Sequence, residues 1–245
     1  MSHNLSKQNV LAIIPARSGS KGLANKNILP LAGRPLLGWS IDHALNSKLV
    51  DRVICSTDDE QIAEIARSHG AEAPFIRPAE LSGDNANDSS FAVHAIEWLA
   101  KNENWKADIV IILRPTSPIR DPVDIDGVIQ LMIDNPRAHS CLSVIEAEKS
   151  PYKMLREMTD GTVVPLISCE VPDQLNAARQ TLPRALQQTG AIHGIRGEIA
   201  VRDNTVIGAI IIPYEPKLKT VIDIDSLDDF AKAEKILAPD SRSKE

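Results

Sequence analysis

Short apolar runs alternate with segments of helical periodicity along the first half of the chain. Three runs are nearly continuous in apolar residues, as is typical of strands buried on both faces of a sheet. The predicted strands are Val10–Ile14, Val53–Ser56 and Asp108–Leu113. Apolar residues recur every three or four positions elsewhere and predict amphipathic helices. The predicted helices are Pro35–Leu45, Asp58–His69, Ser89–Leu99 and Asp121–Asp134. This alternation predicts an α/β fold, a doubly wound and mostly parallel Rossmann-like sheet.

The helix over Asp58–His69 has the clearest predicted boundaries. Thr57 and Glu60 have the spacing of a capping box, in which each side chain bonds the other residue's backbone N–H. Gly70 stands where a helix ends in a left-handed residue. After this helix, Ala73–Ile76 is a short candidate strand.

The pattern changes after a candidate strand at Cys141–Val144. Met154–Leu166 predicts a hairpin that turns at Thr159–Gly161, and a polar, proline-containing stretch follows it. We therefore expect one domain over residues 1–245 with an inserted subdomain at about 145–188. The α/β pattern then returns. Its predicted strands are Gly190–Ile195, Ile207–Pro213 and Thr220–Ile224, and Ser226 caps a last predicted helix.

Composition and charge narrow the class of protein. Hydrophobic residues make up 43% and charged residues 24%, and the mean hydropathy is −0.13, so the chain is globular. A net charge of −6 and 3% aromatics argue against a nucleic-acid-binding surface. Three widely spaced cysteines form neither a disulfide framework nor a zinc motif. No apolar run is long enough to span a bilayer, and we expect neither a signal peptide nor a membrane partner, but a cytoplasmic protein.

The loop after the first strand is the first candidate for chemistry. Residues 15–27 read PARSGSKGLANKN, which combines two glycines, two serines and three cations in an otherwise acidic protein. Backbone N–H groups, hydroxyls and cations at the carboxyl end of a strand suit a triphosphate. The loop matches neither the P-loop nor the dinucleotide-binding motif. A solvated surface loop is the alternative interpretation.

Two carboxylates near the other end of the chain form a second candidate. On a strand, residues two apart point to the same face about 6.5 Å apart, so Asp223 and Asp225 can approach one divalent ion. Oxygen ligands without histidine or cysteine suit Mg²⁺. Alternatively, Asp225 only helps to begin the last helix and Asp223 is a solvated strand end.

A third candidate follows the strand at Asp108–Leu113. Arg114 and Arg120 are candidates to contact an anionic substrate, and Thr116 and Ser117 are candidate hydrogen-bond donors. Proline-rich turn chemistry accounts for the same residues without a ligand. The histidines show no metal-ligand spacing, and we assign them no chemistry.

Taken together, these motifs resemble the CMP-sialic acid synthetases, the acylneuraminate cytidylyltransferases, over roughly residues 9–237. Six blocks in family order carry the resemblance, which makes it more specific than any single motif. The blocks are Ile14–Gly22 with Lys26 and Asn27, Arg77–Leu81, Pro115–Arg120, Arg179–Pro183, Gly190–Ile192 and Asp223–Asp225. The resemblance implies a nucleotide-diphospho-sugar transferase fold. It also implies a homodimer in which the insertion at about 145–188 completes the partner's site.

The resemblance further implies a reaction and a set of site residues. The anomeric hydroxyl of a nine-carbon 2-keto sugar acid attacks the α-phosphate of CTP and releases pyrophosphate. The implied catalytic residues are Arg17, Lys21, Asp223 and Asp225, and the last two hold Mg²⁺. The implied nucleotide-binding residues are Ala16, Arg17, Ser20, Lys21, Asn27, Arg77 and Asp88. The implied sugar-binding residues are Arg114, Thr116, Ser117, Lys153, Arg179 and Gln187.

Four positions depart from the family pattern, and all four are expected near the sugar. Arg114 replaces a glutamine, Gln187 an arginine, Thr189 an asparagine and His193 an aromatic residue. These departures favour a legionaminic- or pseudaminic-type acid, or another variant, over N-acetylneuraminate. Two alternatives stay open: an enzyme that activates an octulosonic acid or a sugar 1-phosphate, and a catalytically silent nucleotide-binding protein. The intact set Arg17, Lys21, Asp223 and Asp225 argues against the silent protein.

Overall fold

The computed structural model describes residues 7–19, 23, 25–83 and 89–238. The chain divides into two compact units. The first, here called the sheet unit, runs up to Ser143 and resumes at Thr189. The second, the insertion unit, is Val144–Gln188.

The sheet unit is built on a six-stranded sheet, as far as the structure describes the chain, in the order β10-β6-β9-β5-β1-β4. In chain order the strands of the molecule are β1 (Val10–Pro15), β2 (Pro30–Leu31), β3 (Arg34–Pro35), β4 (Arg52–Ser56), β5 (Ile109–Ile112), β6 (Ser140–Glu146), β7 (Leu155–Glu157), β8 (Val163–Pro165), β9 (Leu186–Arg196) and β10 (Ile211–Tyr214). β1 pairs in parallel with β4 and β5, and β10 pairs in parallel with β6. β9 runs antiparallel to β5. The predicted α/β fold with a mostly parallel sheet is confirmed.

The described residues form six α-helices, of which the last follows the final strand. They are α1 (Leu36–Leu45), α2 (Glu60–Ser68), α3 (Ser90–Glu103), α4 (Pro122–Asp134), α5 (Gly197–Asp203) and α6 (Leu227–Leu237). The start of α2 differs from the prediction. Asp59 is its N-cap and accepts a hydrogen bond from the Ile62 N–H, while Thr57 Oγ1 accepts one from the Asp59 N–H. The predicted Thr57–Glu60 capping box is therefore wrong, but Gly70 has the predicted left-handed conformation, with φ of 92°.

The core lies on both faces of the sheet. In β1, Ala12 and Ile14 belong to one apolar cluster, which includes residues of α1 and α4. Leu11 and Ile13 belong to another, which includes residues of α3 and α5. Because successive side chains of a strand point to opposite faces, a strand covered on both faces is apolar throughout. This explains the continuous apolar runs of the sequence.

Two predicted strands are wrong. Among the described residues, Thr220–Ile224 pairs with no strand. Its Ile224 N–H instead donates to the Thr116 carbonyl, at 2.8 Å. Ala73–Ile76 is also irregular, and only the neighbouring Glu72 forms an isolated bridge, with Ile54. Both segments have the alternating apolar residues of a strand but lack a partner strand to complete a ladder.

The insertion unit contains the predicted hairpin. β7 and β8 pair antiparallel, and Gly161 in the turn has φ of 82°, which favours glycine. Asp160 Oδ1 accepts hydrogen bonds from the Thr162 N–H and hydroxyl, which fixes the turn. Many large apolar side chains of this unit are exposed in the single chain. They are Met154, Leu155, Met158, Val163, Leu166, Ile167, Leu175 and Leu186.

Helices long and apolar enough to cross a membrane do not occur among the described residues.

Candidate functional site

Three segments of the sheet unit meet at the carboxyl ends of β1 and β5. They are the loop after β1, the loop after β5 and the acidic segment Asp223–Asp225. The peptide group of Ile224 joins all three, because its N–H donates to the Thr116 carbonyl at 2.8 Å and its carbonyl accepts from Lys26 Nζ at 2.6 Å. The structure therefore brings the cationic loop and the acidic segment together.

The loop after β1 is anchored to its surroundings. The Ala16 N–H donates to the Ser56 carbonyl, and Asn27 Nδ2 donates to the Arg17 carbonyl at 2.9 Å. Ser18 donates from both its N–H and its hydroxyl to Asp58, which follows β4. Asn27 is buried, so the structure gives its amide a role in shaping the loop. Ser20 and Lys21 lie outside the described residues.

Arg77 presents a buried guanidinium near this loop. Its side chain is largely enclosed, and Nε and Nη2 meet no hydrogen-bond acceptor in the described parts of the chain. Burial lowers the pKa of Arg77, nearby Asp58 counteracts that shift, and the charge of Arg17 adds to it. A buried donor without an acceptor is costly, which makes this guanidinium a suitable site for an anion. Asp88, the other predicted residue of this region, lies outside the described residues.

The acidic segment projects its two carboxylates away from the core. Ile224 is fully buried in a cluster with Leu31 and Leu36, whereas Asp223 and Asp225 are exposed on either side of it. Asp225 Oδ1 lies 3.1 Å from Lys26 Nζ. The helix α6 begins after Ser226, whose hydroxyl and Asp229 form a capping box. Asp225 is therefore not the cap of that helix.

The donor set of this segment fits Mg²⁺. Groups of three or more histidine, cysteine or acidic side chains that could hold a metal are absent from the described residues. Two carboxylates alone do not make a complete protein cage. They suit Mg²⁺, which proteins commonly hold through one or two carboxylates together with substrate phosphates and water.

The loop after β5 is held from inside by Arg120, which is fully buried. Its guanidinium donates to Ser40 Oγ at 2.8 Å, to the Arg114 carbonyl at 2.7 Å and to the Ser117 carbonyl. Burial lowers the pKa of Arg120 well below its usual range. Its Nε has no hydrogen-bond partner among the described residues, so the interpretation of Arg120 as a substrate contact stays a prediction. Arg114 and Thr116 are half-buried and remain candidates.

Ser117 and Thr189 line a small cavity of about 20 Å³, together with Arg120 and Ser143. Thr189 Oγ1 and Ser143 Oγ are 2.5 Å apart, and both residues are buried. Ser117 Oγ is buried too and has no hydrogen-bond partner in the described part of the chain. His193, another position that departs from the family pattern, is likewise buried. Thr189 and His193 thus lie in the interior of the sheet unit.

The other predicted sugar-binding residues belong to the insertion unit. Lys153, Arg179 and Gln187 are exposed there. Arg179 donates to Glu146 Oε1 and to the carbonyls of Ala147 and Glu148. It lines a pocket of about 290 Å³ within this unit.

Two residues of the site were absent from the catalytic, nucleotide-binding and sugar-binding residues predicted from the sequence. Asp58 holds the loop after β1. Lys26, predicted as one of three loop cations and as part of the first family block, contacts Asp225. Asp58 follows a buried strand at the same sheet edge, and this position was a usable signal. Nothing local in the sequence indicates the pairing of Lys26 with a residue 199 positions away.

Known proteins resemble this chain in sequence and in fold. A family model described as cytidylyltransferase matches residues 11–160. The N-acylneuraminate cytidylyltransferase of Escherichia coli is 32% identical over 96% of this chain and 54% of its own length. A pseudaminic acid cytidylyltransferase of Campylobacter jejuni is 46% identical over 44% of this chain and 47% of its own. The post-translational flagellin modification protein B of Campylobacter coli is 31% identical over 90% of this chain and 92% of its own length.

The matches to the E. coli and C. jejuni proteins span about half the length of each. Among solved structures, a CMP:2-keto-3-deoxy-manno-octonic acid synthetase complexed with CTP superposes with a TM-score of 0.69. The two chains are 18% identical, and the match covers 94% of this chain and 98% of the other. This similarity supports the fold alone. The resemblance deduced from the motifs is confirmed, and the chain belongs to the cytidylyltransferase family.

Proposed function

We propose that this chain transfers CMP from CTP to the anomeric hydroxyl of a nonulosonic acid and releases pyrophosphate. The observation that carries the proposal is the bridge at Ile224, which joins the cationic loop after β1 to the acidic segment. A triphosphate needs cations and a metal-binding carboxylate pair on the same side of the sheet. The family supports the choice of a cytidine nucleotide.

The loop after β1 and Arg77 bind the triphosphate and the nucleotide in this proposal. Arg17 supplies a half-buried guanidinium, and the unpartnered donors of Arg77 offer hydrogen bonds to an anion. Ser20 and Lys21 join them by family resemblance, as do Ala16, Asn27 and Asp88. Catalysis of phosphoryl transfer consists mainly of alignment and charge stabilisation, so positioned cations are the chemistry required.

Asp223 and Asp225 hold Mg²⁺ in this proposal. When bound, the ion neutralises phosphate charge and favours ionisation of the attacking hydroxyl. The chain's own contribution is to fix the two carboxylates. It does so through Ile224, whose side chain is buried and whose peptide N–H and carbonyl are both hydrogen-bonded.

In this proposal the loop after β5 contacts the sugar acid, and the insertion unit completes the corresponding site of the partner subunit. Arg114, Thr116 and Ser117 come from the loop after β5, and Lys153, Arg179 and Gln187 come from the insertion unit. The cations among them suit the carboxylate of a 2-keto acid. The similarity to the pseudaminic acid enzyme of C. jejuni and the four family departures favour a pseudaminic- or legionaminic-type acid.

A homodimer is part of the proposal, with the insertion unit as its contact element. Eight large apolar side chains of this unit are exposed in the single chain. An apolar surface of this kind on one small element is typical of a protein interface. The test is sedimentation of the full chain: Leu166→Asp should convert a dimer into a monomer. A wild-type monomer at micromolar concentration contradicts this part of the proposal.

The activity is tested by pyrophosphate release from the purified chain with Mg²⁺. The nucleotides are CTP and GTP, and the acceptors are pseudaminic, legionaminic, N-acetylneuraminic and octulosonic acids and a hexose 1-phosphate. We expect turnover with CTP and a nonulosonic acid. Turnover with GTP and the hexose 1-phosphate alone refutes the proposal. CTP binding without release from any acceptor favours the silent nucleotide-binding protein.

A further inference from the structure

Lys26 carries a positive charge that the fold buries against the acidic segment. Its side chain is 11% exposed, and its Nζ lies 2.6 Å from the Ile224 carbonyl oxygen and 3.1 Å from Asp225 Oδ1. The side chain of Asp225 is 77% exposed. One of the two carboxylates proposed to hold a divalent ion is thus already in contact with a protein cation.

The ammonium group of Lys26 is held in this position. Lys26 begins a short 3₁₀-helix at Lys26–Ile28, and the next residue, Asn27, is buried and bonded to the Arg17 carbonyl. The carbonyl of Ile224 is fixed in turn, since the N–H of the same residue bonds Thr116. To leave this position, Lys26 would have to break its hydrogen bond to the Ile224 carbonyl, in a site largely shielded from water.

We infer that Lys26 is a positioning residue that weakens divalent-ion binding at Asp223 and Asp225, so that the ion binds tightly only when a nucleotide is present. The inference rests on the proposed function. Without nucleotide, the ammonium beside Asp225 repels an incoming divalent cation. The negative charge of a triphosphate at the loop after β1 offsets that repulsion. Because such coupling is reciprocal, the metal also tightens nucleotide binding by the same factor.

Mn²⁺ binding measures this coupling directly. Free Mn²⁺ is followed by electron paramagnetic resonance as it is titrated into the wild-type chain and Lys26→Met, with and without saturating α,β-methylene-CTP. Coulomb repulsion between a monovalent and a divalent cation in an exposed setting corresponds to about a tenfold change in affinity. We expect Lys26→Met to bind Mn²⁺ about tenfold more tightly than the wild type, both without and with the analogue, and the analogue to tighten Mn²⁺ binding in both forms.

Lys232→Met is the matched control. It removes one positive charge from an exposed lysine of α6 that lies 3.5 Å from Asp229 rather than from Asp225. We expect it to bind Mn²⁺ like the wild type. Lys26→Gln is a second neutral variant, whose amide can still donate a hydrogen bond, in case the methionine variant fails to fold.

The outcomes separate this inference from the proposed function. Wild-type affinity in both Lys26 variants without nucleotide overturns the inference alone. The same follows if Lys232→Met tightens Mn²⁺ binding equally, since bulk charge then explains the effect. If no form binds Mn²⁺ even with the analogue, the proposed metal role fails and the inference fails with it.

Discussion

The sheet unit and the insertion unit differ in how much of their apolar surface is buried. The strands β1 and β5 are buried on both faces, and most of their side chains have no exposed surface. All three residues of β7, in contrast, are exposed, as are eight large apolar side chains of its unit. The insertion unit, Val144–Gln188, is too short to bury a substantial core of its own.

This difference distinguishes the proposed nucleotide and metal residues from the proposed sugar contacts of the insertion unit. Among the residues proposed to bind nucleotide and metal, those that the structure describes lie at a sheet edge whose backbone is fixed by buried strands. The proposed sugar contacts of the insertion unit stand on an element with much exposed apolar surface, and we expect their final arrangement to depend on the dimer. Paired substitutions in the two units test the comparison.

The largest expected effect concerns the carboxylates. We expect Asp225→Asn to lower the turnover number for pyrophosphate release about 10³-fold, the scale of losing one electrostatic contact to the transition state. The pair with Lys26 is exposed on the Asp225 side, so the melting temperature should change little. The matched variant in the insertion unit is Asp160→Asn, in the hairpin turn, which should keep full turnover. Undiminished turnover of Asp225→Asn in saturating Mg²⁺ contradicts the assignment.

The next effect concerns core packing. Ile111, in the middle of β5, is fully buried, whereas Val163 in β8 is 56% exposed. We expect Ile111→Ala to lower the free energy of unfolding by about 3 kcal/mol, because it leaves a cavity between packed layers. Val163→Ala should change it by less than about 0.5 kcal/mol in the monomer. Urea unfolding followed by circular dichroism measures both, and similar losses in the two variants would remove the contrast between the units.

The sequence predicted the sheet unit well where burial on both faces leaves a continuous apolar run, as in β1 and β5. It failed at Thr220–Ile224, because buried isoleucines that alternate with polar residues look the same in a strand and in an unpaired extended segment. Here Ile222 and Ile224 pack near Leu31 and Leu36 instead of joining a ladder.

The candidate site was predictable as a set of loops but not as a set of contacts. The position of Arg17 after β1 follows from the α/β pattern, whereas Asp223 and Asp225 were predicted around a strand that the structure does not form. The burial of Arg120 and the pairing of Lys26 with Asp225 arise from tertiary packing between distant segments, which no local pattern encodes. Family resemblance supplied the remaining roles.

A smaller effect concerns pH and a histidine of the sheet unit. Burial, with added repulsion from Arg120 and Arg34, lowers the pKa of His43 to about 3 from the usual 6.5. Between these values the unfolded chain binds a proton that the folded protein does not, so acid destabilises the fold. Lowering the pH from 7 to 5 should cost about 2 kcal/mol of unfolding free energy through this group.

The variant His43→Gln removes this contribution, so its unfolding free energy should fall less between pH 7 and pH 5 than that of the wild type. The insertion unit contains no histidine and should contribute nothing of this kind. Urea unfolding at the two pH values is the measurement. Parallel pH profiles of the variant and the wild type contradict the expectation.

The smallest effect concerns the start of α6, directly after the acidic segment. Ser226 Oγ accepts a hydrogen bond from the Asp229 N–H, and the Asp229 carboxylate accepts one from the Ser226 N–H. Ser226→Ala should cost about 1 kcal/mol of unfolding free energy, the usual value of an N-cap. Thr162→Ala, which removes an exposed hydroxyl contact in the hairpin turn, should cost only a few tenths of a kcal/mol.

Turnover gives the capping variant a second readout. If the cap serves only α6, Ser226→Ala keeps its turnover at every Mg²⁺ concentration below the melting temperature. If it also fixes the neighbouring Asp225, turnover falls at limiting Mg²⁺ and recovers at saturating Mg²⁺, while Thr162→Ala shows neither change. We expect the second result, because the Asp229 carboxylate that completes the cap also lies 3.4 Å from the Asp225 backbone nitrogen.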